Sequence, residues 1–205
     1  ESARIPATGP LVVVSNHPSG VVDGMVLAEM INRVRSDFRI LTRSLLTGIP
    51  EVEEFMIPVP FPHEDNAREL GLQMREETLA HLKAGGVIIL FPAGKVAMSE
   101  GWWGPAVEGE WNVFTHKIVK SSGATILPIY FPGQNSRAFQ IANQVSDTVR
   151  QGLLLYEIKR SLFKPQRPVI GHPIPAEELK KWEGNPRGFL AWLRDHTLGL
   201  GRGGR

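Results

Sequence analysis

The 205 residues hold 23 Lys and Arg against 21 Asp and Glu, with 42% hydrophobic and 21% charged residues. This composition excludes a disordered or collagen-like chain and fits one globular domain, read here as residues 1–198 with a Gly/Arg tail over 199–205; the net charge of +2 is no footprint of a nucleic-acid partner. Cysteine is absent, which removes disulfides, Cys-ligated zinc and a thiol nucleophile, and no apolar run approaches the ~20 residues that span a bilayer.

Leu11-Val12-Val13-Val14 is an uninterrupted β-branched run and reads as a buried strand; Ser15 to Gly20 is rich in turn residues, and Val26, Met30 and Val34 then recur at helical spacing. Phe38 to Leu41 and Phe55 to Val59 read as two further strands, the prolines placing the second at an edge or ending it early. From Glu64 to Ala84, Leu70, Met74, Leu79 and Leu82 fall near one stripe, and Gly85-Gly86 stops that helix. Val87 to Phe91 and Thr125 to Tyr130 read as buried strands, separated by a loop carrying Trp102, Trp103 and Trp111 and by a helix near Val113 to Ser121. A helix around Val145 to Lys159, a strand at Pro168 to Gly171 and an amphipathic helix around Pro186 to His196 complete the pattern. Strands alternating with helices, the strands apolar throughout, predict an α/β fold with a largely parallel mixed sheet covered by helices.

The chemistry-bearing stretch is Asn16-His17-Pro18-Ser19-Gly20-Val21-Val22-Asp23-Gly24, at the exit of the first strand. Ligand sites in such sheets lie outside the carboxyl ends of strands. A Pro/Gly-shaped turn can fold His17 back onto Asp23, and a carboxylate there would fix the imidazole tautomer and leave the other nitrogen to act as a base. Asp23 as a plain N-terminal cap of the following helix fits the same spacing. The remaining residues His63, His81, His116, His172 and His196 form no metal-ligand spacing, so no metal site is predicted.

The stretch resembles the His/Asp motif of the glycerolipid acyltransferases, the PlsC-like lysophospholipid acyltransferase family. Its His-to-Asp spacing, with Pro18 to Val22 between, is one residue longer than that family's usual form and is similar to the hemolysin-like, ornithine-lipid acyltransferase branch. Phe91-Pro92-Ala93-Gly94 resembles the family's third block, with Ala93 in place of the acidic residue. Ile126-Leu127-Pro128-Ile129 resembles the fourth block, and Gly133-Gln134-Asn135-Ser136-Arg137 with Phe139-Gln140 resembles the stretch after the fourth block in that branch. The second block, which in relatives often supplies a phosphate-binding Arg, is poorly matched around Gly48 to Pro60.

The resemblance implies a PlsC-like acyltransferase fold and an O-acyltransferase. In it His17 is the base and Asp23 its orienter, while Phe91, Pro92, Gly94, Pro128 and Asn135 contact substrate. Lys95 sets a cation near an anionic head group or is a solvated residue of a tight turn, and Arg137, just beyond a strand end with Asn135, offers a fork for phosphate or carboxylate. The implied donor is an acyl thioester on acyl carrier protein or coenzyme A, with no bound cofactor. The implied acceptor is a lysolipid hydroxyl, with a lyso-ornithine lipid or other aminolipid favoured. Acylation of 1-acylglycerol 3-phosphate and hydrolysis of a thioester or lipid are the alternatives.

Attack on the thioester creates an oxyanion, for which backbone N–H groups after His17 are one source of donors. For the solvent-facing parts two readings stand side by side. Trp102, Trp103 and Trp111 border an acyl groove or a lipid interface, or simply pack beneath a loop. Leu153-Leu154-Leu155-Tyr156 with Lys159, Arg160, Phe163, Lys164 and Arg167 docks on anionic lipid, or is a core helix with a basic end. The expected location is cytoplasmic, peripheral at the inner face of the cell membrane.

Overall fold

In the computed structural model, which describes residues 2–43, 53–61, 63–146, 149, 152–161 and 164–203, the first apolar run is strand β1 (Leu11–Ser15), buried along its whole length. It lies inside a six-stranded sheet with β2 (Phe38–Arg43), β3 (Met56–Val59), β4 (Val87–Leu90), β7 (Thr125–Tyr130) and β8 (Val169–Ile170), ordered β3-β2-β4-β1-β7-β8. Every neighbouring pair is parallel except β7 and β8. A separate antiparallel hairpin, β5 (Met98–Ser99) and β6 (Ala106–Val107), stands in the tryptophan-rich loop.

Continuous apolar strands are stable only when both sheet faces are covered, and here alternate residues serve opposite faces. Val12, Val14, Ile88, Leu90 and Ile126 enter one core with α2 (Ala67–Lys83), α3 (Phe114–Ser122) and α6 (Pro186–Gly199), through Leu82, Ile118, Val119, Phe189 and Leu193. Leu11, Val13, Val87, Ile89, Leu127 and Ile129 enter the other, against Leu27 and Ile31 of α1 (Val21–Asn32). Each such fully buried aliphatic side chain contributes about 1.5–3 kcal/mol of transfer free energy, so the three central strands form the rigid part from which the site loops leave.

Pro58 stands where a missing N–H does least harm, in the edge strand β3 opposite Thr42. Pro128 lies in an interior strand, but β8 pairs there for only two residues and the Pro128 carbonyl still accepts the Gly171 N–H at 2.8 Å. An unforeseen helix, α4 (Arg137–Val145), precedes the one expected from Val145 to Lys159, of which α5 (Leu154–Ser161) is the later part; residues 147, 148, 150 and 151 lie outside the described residues. The start of α4 is set by Ser136, whose Oγ accepts the Phe139 N–H at 3.2 Å, an N-cap that motif matching had obscured. A 3₁₀ helix, Ala176–Trp182, was also not foreseen; Trp182 packs edge-on to Phe189, with ring centroids 6.5 Å apart. The poorly matched second block falls partly on residues 44–52, outside the described residues. Among the described residues no helix is long and apolar enough to cross a membrane.

Candidate active site

Because β4, β1 and β7 are consecutive neighbours and Val14 stands level with Leu90 and Pro128, the loops leaving their carboxyl ends meet above the sheet. Asn16 joins two of them. Its Nδ2 donates to the Phe131 carbonyl at 2.8 Å and its Oδ1 accepts the Phe131 N–H at 2.7 Å, with the Asn16 side chain buried. The third is joined by the Ala97 N–H, which donates to the His17 carbonyl at 2.8 Å. Gly20 turns the chain into α1 at φ 71°, a left-handed backbone that favours glycine, and a β-carbon there would sit 3.4 Å from Val96.

This turn brings His17 Nδ1 to 3.1 Å from Asp23 Oδ2. The same oxygen accepts the Ser19 N–H at 2.8 Å, so the carboxylate holds the loop and the imidazole together. Asp23 is not the helix cap: Gly20 occupies that position, and Asp23 lies in the first turn, where a negative charge suits the helix dipole. Asp23 is fully buried, whereas the His17 side chain keeps 16% of its surface open to solvent. A carboxylate at Nδ1 favours the tautomer protonated there and leaves the Nε2 lone pair free, and no described residue bonds Nε2. Phe91 closes one face of the imidazole, its ring centroid 3.8 Å away and 22° from parallel.

Glu108, just after β6, was not singled out by its sequence, because a lone acid in a Gly/Trp-rich loop carries no motif. It is buried at 6% exposure, and its Oε2 accepts the His17 N–H at 3.1 Å while Oε1 accepts the Trp111 indole N–H at 3.1 Å. Burial pushes its carboxyl above the usual range, against the pull of those two N–H donors and of the His17 and Arg194 charges. Trp111 is itself buried in the core, while Trp102 and Trp103 are exposed.

The expected oxyanion donors are partly committed elsewhere. The Ser19 N–H goes to Asp23, which leaves the N–H groups of Gly20, Val21 and Val22 without an acceptor among the described residues.

The remaining predicted residues divide. Phe91 to Gly94 form a turn in which the Gly94 N–H donates to the Phe91 carbonyl at 2.9 Å, and Pro92 is buried with its carbonyl accepting the Asn112 N–H at 2.9 Å. Lys95 is exposed beside Gly109. Asn135 is buried, with Nδ2 unpaired among the described residues. Arg137 is exposed and donates from Nη1 to the Gly104 carbonyl at 2.6 Å, fastening the loop of Trp102 and Trp103. Pro128 packs on Gly171 within the sheet, level with Val14 of β1. Among the described residues no group of three His, Asp or Glu side chains could hold a metal.

The family model described as Acyltransferase matches residues 1–132, which contain β1 to β4, the His17 loop and the Glu108 loop. A lyso-glycine lipid O-acyltransferase of Phocaeicola vulgatus is 27% identical over 203 residues, covering 94% of this chain and 68% of that protein. The lyso-glycine lipid O-acyltransferase of Bacteroides thetaiotaomicron is 23% identical over 203 residues, covering 94% of this chain and 70% of its own. With its mostly parallel sheet between layers of helices, this chain belongs to the PlsC-like acyltransferase family and is an enzyme that transfers acyl groups other than aminoacyl groups.

Proposed function

We propose that the chain moves a fatty acyl group from the thioester of acyl carrier protein or coenzyme A to a hydroxyl of a lyso-aminolipid. The observation that carries this reading is the 3.1 Å contact between His17 Nδ1 and the fully buried Asp23 carboxylate, with Nε2 unpaired among the described residues and the side chain partly open to solvent. Nε2 takes the proton of the acceptor hydroxyl as its oxygen attacks the thioester carbonyl carbon. The tetrahedral intermediate then expels the thiolate, the C–S bond breaks, and the imidazolium returns its proton to sulfur. Asp23 holds the ring and stabilises the imidazolium between the two steps. The first-turn N–H groups of Gly20, Val21 and Val22 are the donors best placed to receive the oxyanion.

An aminolipid acceptor is supported by the two relatives, whose acceptor is a lyso-glycine lipid, and by the His-to-Asp spacing, which resembles the ornithine-lipid branch. Head-group contacts fall to Asn135, whose buried Nδ2 is unpaired, to Lys95 and to the Gly94 turn.

We also propose peripheral attachment to the inner face of the membrane through the surface beside the site. Trp102, Trp103, Met25, Leu155 and Tyr156 are all more than half exposed. Arg137 ties the tryptophan loop to α4, Ser136 ties α4 to Glu157 of α5, and α5 packs on α1. The exposed Lys159 and Arg160 on α5 supply the charge that anionic lipid selects.

The deciding experiment incubates the protein with labelled acyl-acyl carrier protein or acyl-coenzyme A and a panel of lysolipids, followed by mass identification of the product. The expected product is a diacylated aminolipid, lost in His17→Ala. Transfer that survives His17→Ala rejects the mechanism. Acylation of lysophosphatidate instead rejects the acceptor, and thioester loss without any acceptor makes the enzyme a hydrolase.

A further inference from the structure

We infer that Glu108 is a positioning residue for acyl transfer: its carboxylate anchors the backbone of His17 and so sets where the imidazole stands. The inference rests on the reading of His17 as the base.

Asp23 fixes only one point of the His17 ring, and rotation of the side chain about its own backbone would still move Nε2. The backbone is held by Glu108, whose Oε2 accepts the His17 N–H at 3.1 Å. A buried carboxylate is a costly acceptor for one amide, since burial disfavours its charge and a carbonyl would serve as well. What distinguishes this one is that both oxygens are used, Oε1 by the Trp111 indole at 3.1 Å, and that its segment is tied down separately. Arg194 of α6 donates from Nη2 to the Glu108 carbonyl at 2.6 Å and from Nε to the Gly109 carbonyl at 3.0 Å. A chain of contacts therefore runs from the C-terminal helix through Arg194 and Glu108 to His17. It lies wholly outside the His17-to-Asp23 motif.

The charge matters as well as the shape. The titratable and charged groups against Glu108 are His17 and Arg194, with Lys95 beside Gly109, and those against His17 are Asp23 and Glu108. A second carboxylate beside His17 favours the imidazolium that forms during transfer. Gln at this position keeps the volume but presents one amide oxygen and one amide nitrogen to two N–H donors, so one of the two hydrogen bonds is lost.

The test is Glu108→Gln in the same acyl-transfer assay, with thermal melting alongside. The expected result is a kcat loss of roughly 10- to 100-fold, the scale of a displaced catalytic group, with KM for donor and acceptor within two-fold. Wild-type kcat overturns the inference, as does a rise in KM with kcat intact. Should Glu108→Gln give no cooperative melt, Arg194→Ala decides. It frees the segment without touching the carboxylate, kcat should fall at unchanged KM, and unchanged kcat overturns the inference. His17→Ala separates this from the parent reading: transfer surviving there removes the base, while transfer abolished there and intact in Glu108→Gln removes only the role of Glu108.

Discussion

The Phe91 ring lies flat against the His17 imidazole, centroids 3.8 Å apart and planes 22° from parallel. Phe91 leaves β4 and His17 leaves β1, so the stack joins the first and third motif blocks directly. Stacked ring pairs are worth about 0.5–1.5 kcal/mol beyond their burial, so the contact helps hold the imidazole in place. Phe91→Leu, which keeps apolar volume and removes the face, should lower kcat roughly 2- to 10-fold. Steady-state kinetics checks this, and a raised KM for the lysolipid with kcat intact would assign Phe91 to the head group instead.

Asp23→Asn should cost kcat roughly 10²- to 10⁴-fold while the fold survives, because the amide can present a donor to Nδ1 and so favour the wrong tautomer. Circular dichroism establishes folding and the transfer assay reads the loss. Near-wild-type turnover would reduce Asp23 to the anchor of the Ser19 N–H.

Asn16 carries no chemistry but holds the β1 and β7 loops together through both polar groups of Phe131. Asn16→Ala leaves a buried N–H and a buried carbonyl unpaired, a destabilisation of about 2–5 kcal/mol. For a chain of 205 residues that corresponds to a fall of about 5–15 °C in melting temperature. A shift of less than a degree or two in scanning calorimetry would show that the loops stay joined without it.

The sheet was legible because its strands are buried on both faces, and Leu11 to Val14 or Val87 to Leu90 show that as plain apolar runs. The His17 and Asp23 pair was legible through the resemblance to the family's His/Asp motif, since its local spacing fitted a helix cap equally well. Glu108 was not, since its partner is a backbone N–H 91 positions away in sequence and an N–H donor leaves no trace in residue type. The Arg137 contact was hidden for a related reason: its guanidinium donates to the Gly104 carbonyl, and only the folded loop reveals that acceptor. Helix α4 escaped because its Ser136 cap lay inside residues read as a binding motif.

His116 of α3 packs edge-on to Phe189 at 5.8 Å, and burial, then the Lys120 charge, holds its pKa below the ordinary 6.5. A depressed folded-state pKa means that the unfolded chain binds the proton more readily. The stability His116 contributes is therefore present above pH 6.5 and lost as pH falls below it. His116→Phe should flatten the loss of unfolding free energy between about pH 7 and pH 5. Denaturant titrations at both pH values test this, and parallel losses in the two proteins would place the acid-sensitive group elsewhere.

Trp103 is 79% exposed and Leu155 77% exposed, on segments joined through Arg137, Ser136 and Glu157. Inserting such a side chain into a bilayer interface yields about 1.5–3 kcal/mol, so Trp103→Ala and Leu155→Ala should each weaken binding to anionic vesicles roughly ten-fold or more. Replacing Lys159 and Arg160 with Gln should remove about 1 kcal/mol each on anionic vesicles, fade with added salt, and do little on neutral ones. Turnover on a short-chain lysolipid dispersed as monomers should fall far less than turnover on vesicle-embedded acceptor, since only the second needs the surface. Vesicle co-sedimentation beside the two assays separates the possibilities. Equal losses on both substrates would mean that Trp103 and Leu155 act in substrate binding, and unchanged sedimentation would move the membrane contact to another face.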